Sequence, residues 1–159
     1  MRKKTVAESR LEMAQIMFPM DANPAGNVYG GSIMKLIDTA AGIVAYRHCR
    51  TNVVTASMDR LDFHQPVFMG ELVVLRASIN YAGSTSMEVG VRVEAEDLMT
   101  GEIRHTNSAY VTMVSLDENR KPTPIPKIMP ETQDEERRFE EGKIRARRRK
   151  ELRKNRSKP

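Results

Sequence analysis

The chain has 159 residues, enough for a single domain of about 130 residues (1–130) that buries its own core, followed by a charged tail (131–159). Its one cysteine, Cys49, excludes an intrachain disulfide, and no apolar run approaches the roughly 18 residues of a membrane span, so a cytoplasmic protein without a membrane partner is expected. The net charge of +5 does not mark a nucleic-acid binder: residues 1–130 hold 14 Lys/Arg against 14 Asp/Glu, and the surplus is confined to residues 131–159, with 12 against 7 and a single aromatic.

Met1-Arg2-Lys3-Lys4 is basic but leads into Thr5-Val6-Ala7-Glu8-Ser9, without the apolar stretch of a secretory signal. Ser9 to Met17 alternates, with Leu11, Met13 and Met17 on one side, and is read as a first strand. Phe18 to Gly31 is dense in turn formers and forms a loop. From Ser32 to about His48 the period becomes helical. Ile33, Leu36, Ile37, Ala40, Ala41, Ile43 and Val44 cover most of the circumference, which predicts a buried helix with Ser32 as its N-cap.

Four strands are expected next: Asn52 to Met58, Glu71 to Tyr81 (with Val73, Leu75, Ala77, Ile79 and Tyr81 on one face), Met87 to Asp97, and Glu102 to Leu116. In the third, Met87, Val89, Val91, Val93 and Ala95 alternate with Glu88, Gly90, Arg92, Glu94 and Glu96, the mark of an antiparallel sheet packed on one face. The order of elements gives an α+β fold, an antiparallel sheet wrapped around one central helix. Lys121 to Pro126 carries three prolines and reads as an extended linker. In the tail, the four-residue pairs Asp134 with Arg138 and Glu141 with Arg145 support an exposed helix, to which no chemistry is assigned.

The residue that stands out chemically is Asp38, in the middle of the apolar helix. An ionised carboxylate there needs a partner or a purpose, and burial would raise its pKa towards that of a useful base. The bland alternatives are that it faces solvent or a subunit boundary, or pairs with Lys35 or an arginine. Gly30-Gly31 allows a close backbone approach at the helix start, where amides can hold a developing oxyanion; a plain tight turn needs the same residues. Asn27 can hold a carbonyl or water, although Asn23 and Asn27 also suit ordinary loops. Gly83-Ser84-Thr85-Ser86 can meet phosphate or pantetheine amides, or simply close a hairpin. His48, His64 and His105 have no metal-ligand spacing, so no metal is expected, and Cys49 has no histidine fixed nearby. The 11 methionines are read chiefly as core fillers.

Asn23-Pro24-Ala25-Gly26-Asn27-Val28-Tyr29-Gly30-Gly31, followed by Met34-Lys35-Leu36-Ile37-Asp38 and Ala40-Ala41-Gly42, resembles the signature of the hotdog-fold acyl-CoA hydrolases. Asp59 to Val67 and Gly83 to Val89 are also similar to that family, and the resemblance runs from about residue 8 to 130. It implies a hotdog fold and hydrolysis of fatty acyl-CoA to free acid and CoA, with coenzyme A as part of the substrate and no separate cofactor. It implies a homo-oligomer, a dimer at minimum and commonly a hexamer, with the active site at the dimer interface. There Asn27 would come from one protomer and Asp38, as general base or nucleophile, from the other. Gly30 and Gly31 would bind the thioester oxygen. Ser57, Asp59, Arg60, Gly83, Ser84 and Thr85 would contact CoA, with Arg60 a candidate for a phosphate. The alternative is a non-catalytic acyl-CoA-binding regulatory protein, which would not need a carboxylate in its ligand cavity.

Overall fold

The computed structural model describes residues 1–157. In chain order it contains β1 (Lys4–Thr5), a 3-10 turn (Val6–Glu8), β2 (Leu11–Ile16), a second 3-10 turn (Pro19–Asp21) and α1 (Gly30–Cys49). There follow β3 (Asn52–Phe63), β4 (Leu72–Ala82), β5 (Ser86–Glu96), β6 (Ile103–Leu116), β7 (Ile128–Met129) and α2 (Gln133–Arg156). The long strands form one five-stranded antiparallel sheet in the order β2-β4-β5-β6-β3, while β1 pairs in parallel with β7. The outer edges of β2 and β3 are therefore open.

The inner face of the sheet closes over α1. Ile33, Ile37, Ala40, Ala41, Val44 and Ala45 pack into one buried cluster with Val73, Leu75 and Ile79 of β4, Val89, Val91 and Val93 of β5, and Val111 of β6. The alanines bring the helix axis close to the sheet, and each large apolar side chain buried this way contributes about 1.5–3 kcal/mol. This is the expected hotdog arrangement of one long helix wrapped by an antiparallel sheet.

Local details depart from the sequence reading. α1 starts two residues earlier, with Tyr29 as N-cap; Ser32 lies inside the first turn and its N–H donates to the Tyr29 carbonyl at 3.0 Å. The helix is buried on one side only, because the sheet covers only that side; Met34, Asp38, Ile43 and Tyr46 lie on an exposed face. β3 runs on past Met58 to Phe63, through register shifts between Thr55 and Ser57 and between Asp59 and Asp62. Such bulges re-aim side chains along an edge. A further shift between Ile79 and Tyr81 buries Ala82 in the core and sends Tyr81 outward, where its ring tilts against Phe139 at 5.3 Å.

The other end of α1 is closed by a clasp. Arg50 caps it in the left-handed region at φ 56°. Lys4 donates from Nζ to the His48 carbonyl at 2.7 Å, and the buried His48 ring meets the Pro126 carbonyl through Nε2 at 2.8 Å. The proline linker thus runs back along the body and delivers β7 to β1.

α2 begins with Thr132, whose hydroxyl accepts from the Glu135 amide, and carries acids in its first turn and bases in its last, as the helix dipole favours. It lies across the outer face of the sheet, and this changes the reading of both partners. Glu88, expected on a wet face, is fully buried beneath it. Arg145, expected to pair with Glu141, turns to Glu88 instead at 2.7 Å, while Glu141 pairs with Arg137; the Asp134–Arg138 pair forms as expected, at 2.9 Å.

Candidate active site

Asp38 lies on the exposed face of α1, contrary to the expectation that its carboxylate is buried in apolar surroundings within the chain. It forms no ion pair with Lys35 or an arginine among the described residues. Instead its Oδ1 accepts a hydrogen bond of 2.6 Å from the Thr55 hydroxyl of β3. Thr55 stands just before the first register shift of β3, on the open edge strand. The carboxylate is thereby oriented by one donor, with no other protein donor reaching Oδ2 among the described residues.

On its exposed side α1 presents Met34, at 44% exposure and one turn from this acid, and Tyr46, at 48%, whose hydroxyl donates to Asn52 Oδ1 of β3 at 3.0 Å. Ile43, at 36%, lies further round the helix, and Val54, at 39%, faces the other side of the sheet from Thr55.

A second group of predicted residues gathers at the other end of β3. A cavity of about 360 Å³ is lined by Asn23, Asn27, Gly30 and Ile33, together with Phe63 and the 64–67 segment. The loop that carries both asparagines is tightly organised. The Asn23 side-chain carbonyl accepts from the amides of Ala25 at 3.0 Å and Asn27 at 3.2 Å, and the Asn23 amide donates to the Asn27 carbonyl at 2.8 Å. An Asx turn of this kind fixes the asparagine by its oxygen and leaves its NH₂ to act as a donor. The loop is tied to the 66–71 turn by the Val28 amide, which donates to the Val67 carbonyl at 2.8 Å. That turn is stapled by Glu71, which accepts from the Phe68 amide and from Arg104.

Gly30 opens α1 beside this cavity, and no side chain caps the helix start. A Cβ at Gly30 would sit 3.3 Å from the Phe63 ring, and one at Gly31 would fall on the Tyr29 ring, so a side chain at either position would displace a neighbouring ring. The amides of a first helical turn lack intrahelical acceptors and favour negative charge. The predicted oxyanion-binding segment and Asn27 therefore share one cavity wall, but Asp38 stands two turns further along α1, outside it.

The residues expected to contact CoA divide. Ser57, Asp59 and Arg60 follow one another on β3, where Ser57 has a buried hydroxyl without a partner among the described residues and Arg60 adopts φ 51° at the second register shift. Asp59 is engaged by Arg149 of α2 at 2.8 Å, a contact that nothing in the spacing announced. The turn of Gly83, Ser84 and Thr85 lies at the far end of the sheet, and its three carbonyls accept from Lys127, Ile125 and Ser115. It is a hairpin turn anchored to the linker.

Burial pushes the Cys49 thiol up to about 11, which removes it as a nucleophile. His64 and His105 lie 5.5 Å apart, but no group of three or more His, Cys, Asp or Glu side chains among the described residues is placed to hold a metal. A larger cleft, about 700 Å³, opens between α2 and the outer sheet face. Its arginines are largely matched by carboxylates (Arg76 and Arg92 with Glu94, Arg137 with Glu141), and it contains none of the predicted site residues. Size does not select the site here.

The sequence reading overlooked Thr55 and treated Asn23 only as a loop former. The one signal available for Thr55 was a hydroxyl after two valines in a strand that also carries Ser57, too common to single out.

The model of the thioesterase superfamily matches residues 25–102. Protein VdlD of Helicobacter pylori is 44% identical over 136 residues, spanning 86% of this chain and 78% of that protein. The cytosolic acyl coenzyme A thioester hydrolase of Rattus norvegicus is 41% identical over 141 residues, and the match spans 87% of this chain but only 37% of that longer protein. Among solved structures, an acyl-CoA hydrolase from Bacillus cereus superposes with a TM-score of 0.92 at 38% identity, over 99% of this chain and 95% of that one. An acyl-CoA hydrolase from Staphylococcus aureus, solved with butyryl coenzyme A, coenzyme A and coenzyme A disulfide, gives 0.89 at 34% identity, over 96% and 93%. That protein has also been solved with an asparagine, an aspartate or a threonine replaced by alanine. A hexameric acyl-CoA thioesterase gives 0.89 at 37% identity, over 99% of both chains.

Proposed function

The chain belongs to the hotdog-fold acyl-CoA hydrolases of the thioesterase superfamily, and on that premise we propose that it hydrolyses fatty acyl-CoA at a site shared between two of its copies. Water adds to the acyl carbon, the carbon–sulfur bond breaks, and the products are the free acid and CoA. Asp38 takes the proton from the attacking water. The Thr55 hydroxyl holds Oδ1 at 2.6 Å and leaves Oδ2 for that proton. The amides at Gly30 and Gly31 receive the thioester oxygen as it becomes negative.

The observation that carries this reading is the division of the site within one chain. The asparagine cavity lies at the Phe63 end of β3, and Asp38 with Thr55 lies towards its Asn52 end. β3 has an open edge. Two copies paired antiparallel along β3 would set the cavity of one beside the carboxylate of the other. The same pairing would cover Met34 and Tyr46, apolar side chains on the Asp38 side of α1 that a monomer leaves wet. In the assembly Asp38 would then occupy the apolar setting that the single chain does not provide.

The S. aureus variants refine which asparagine takes part. Its replaced asparagine, aspartate and threonine are separated by fifteen and seventeen residues, and Asn23, Asp38 and Thr55 have those same separations. This favours Asn23 as the side chain that positions water or the thioester carbonyl, with Asn27 as the residue that holds Asn23 in place. Of the CoA contacts the resemblance implies, Ser57 is supported by a hydroxyl unpartnered among the described residues and Arg60 by its exposed guanidinium. We assign the protein to the cytoplasm as a dimer or a hexamer, in keeping with the hexameric structure it resembles.

The test is thiol release from acyl-CoAs of graded chain length. Asp38→Asn is expected to lose turnover by about 10²-fold or more while still binding CoA. Asn23→Ala is expected to lose more than Asn27→Ala. Undiminished turnover by Asp38→Asn rejects the assignment.

A further inference from the structure

Glu88 is the most deeply buried carboxylate among the described residues, at 0% exposure near the start of β5. Burying such a charge is costly unless cations and donors surround it. Here they come chiefly from α2. Arg145 donates to Glu88 through Nε at 3.1 Å and Nη2 at 2.7 Å, and Arg149 donates through Nη1 at 3.1 Å. Asn80 of β4 adds a donor at 3.1 Å. The Arg145 guanidinium also lies 3.7 Å from the centre of the Tyr110 ring. Arg145 alone would neutralise Glu88.

Arg149 does something further. The same Nη1 that reaches Glu88 also donates to Asp59 at 2.8 Å, so one nitrogen bridges a central strand and the open edge strand. Asp59 is the last residue of β3 in regular register with β6 before the second shift, and Arg60 follows it in the left-handed region at φ 51°. A non-glycine residue holds such a backbone only where its surroundings over-determine it. Among the described residues Arg60 itself is held only by Asp62 at 3.2 Å, an exposed pair that fixes little. The anchor on its other side is Asp59.

We propose that Arg149 is a positioning residue: by bridging Glu88 and Asp59 it ties α2 to the edge strand and presents the Ser57–Arg60 segment to the CoA moiety. The inference rests on the reading of Ser57 and Arg60 as CoA contacts. It gives the basic tail a part in substrate binding without placing it on the substrate. Because a single nitrogen serves both carboxylates, a lysine can partly replace it.

The experiment compares Arg149→Ala, Arg149→Lys, Asp59→Asn and the double variant Arg149→Ala/Asp59→Asn, all in the full chain. Amide hydrogen exchange across residues 57–62 is expected to quicken in Arg149→Ala by about fivefold or more, the scale of one charge-assisted hydrogen bond, and to recover in Arg149→Lys. KM for acyl-CoA is expected to rise by a similar factor with kcat within about twofold, and the double variant to be no worse than the worse single, as for two ends of one contact. Arg145 still neutralises Glu88 in each variant, so all are expected to fold. Unchanged exchange at residues 57–62 in Arg149→Ala overturns the positioning role, and so does an unchanged KM or an additive double variant. The exchange readout needs no substrate. Absence of acyl-CoA turnover in the unmodified protein would reject the thioesterase reading separately.

Discussion

His48 shows how a residue without catalytic spacing still has a measurable role. Its ring is fully enclosed at the end of α1, Nε2 meets the Pro126 carbonyl, and Nδ1 has no partner among the described residues. Burial holds its pKa below the ordinary 6.5, with the nearby Lys4 charge adding to the effect and the Pro126 carbonyl opposing it. The folded chain therefore prefers the neutral ring. Its contribution to stability is complete above the unfolded pKa and is lost as pH falls below about 6.5 towards the lower folded value. The thermal midpoint is expected to drop more steeply between pH 7 and pH 5 in the unmodified chain than in His48→Gln. Equal slopes would show that the ring accepts a proton in place. Asp38 is the opposite case at this scale. Its position in an apolar run was evident, but its single donor, Thr55, comes from 17 residues away.

At the scale of elements, α2 carries the larger lesson. Its sequence is so polar that it reads as a solvated helix, yet its contact face is built from Phe139, one small residue and two arginines. Gly142 is buried, and a Cβ there would lie 2.9 Å from the Tyr81 Cβ and 3.3 Å from Glu88 Oε1. In an isolated helix Gly142→Ala would gain nearly 1 kcal/mol of propensity. In the fold it is expected to cost about 1–2 kcal/mol, because the helix must lift off Glu88. Arg145→Ala is expected to cost about 2 kcal/mol, since Arg149 and Asn80 remain. Urea midpoints at constant m-value measure both. A stabilised Gly142→Ala would mean that the helix is not docked in solution as described.

For the whole molecule, the exposed face of α1 and the open edge of β3 are the features that a single chain does not explain. Met34, at 44% exposure, lies one turn before Asp38 on the same side of the helix. Met34→Glu is expected to shift the sedimentation mass to that of a monomer and to abolish turnover, because Asn23 and Asp38 of different copies no longer meet. A fully active monomer would rule out a shared site. The core itself, built between α1 and the inner sheet face, should keep the variant folded.

The alternation of Met87 to Ala95, the helical run around Asp38 and the turn chemistry of residues 18–31 determined the fold class by themselves, because local backbone preference and apolar period act within a few residues. The motif around Gly30, Gly31 and Asp38 likewise carried the family. Three things were decided only by tertiary structure. The girth of α1 is apolar on two sides, and periodicity does not say which side meets the chain's own sheet. The bulge before Tyr81 reversed which face its side chain occupies. The burial of Glu88, with Arg145 and Arg149 closing over it from 57 and 61 residues away, depends on a charge-to-charge contact that no local pattern encodes.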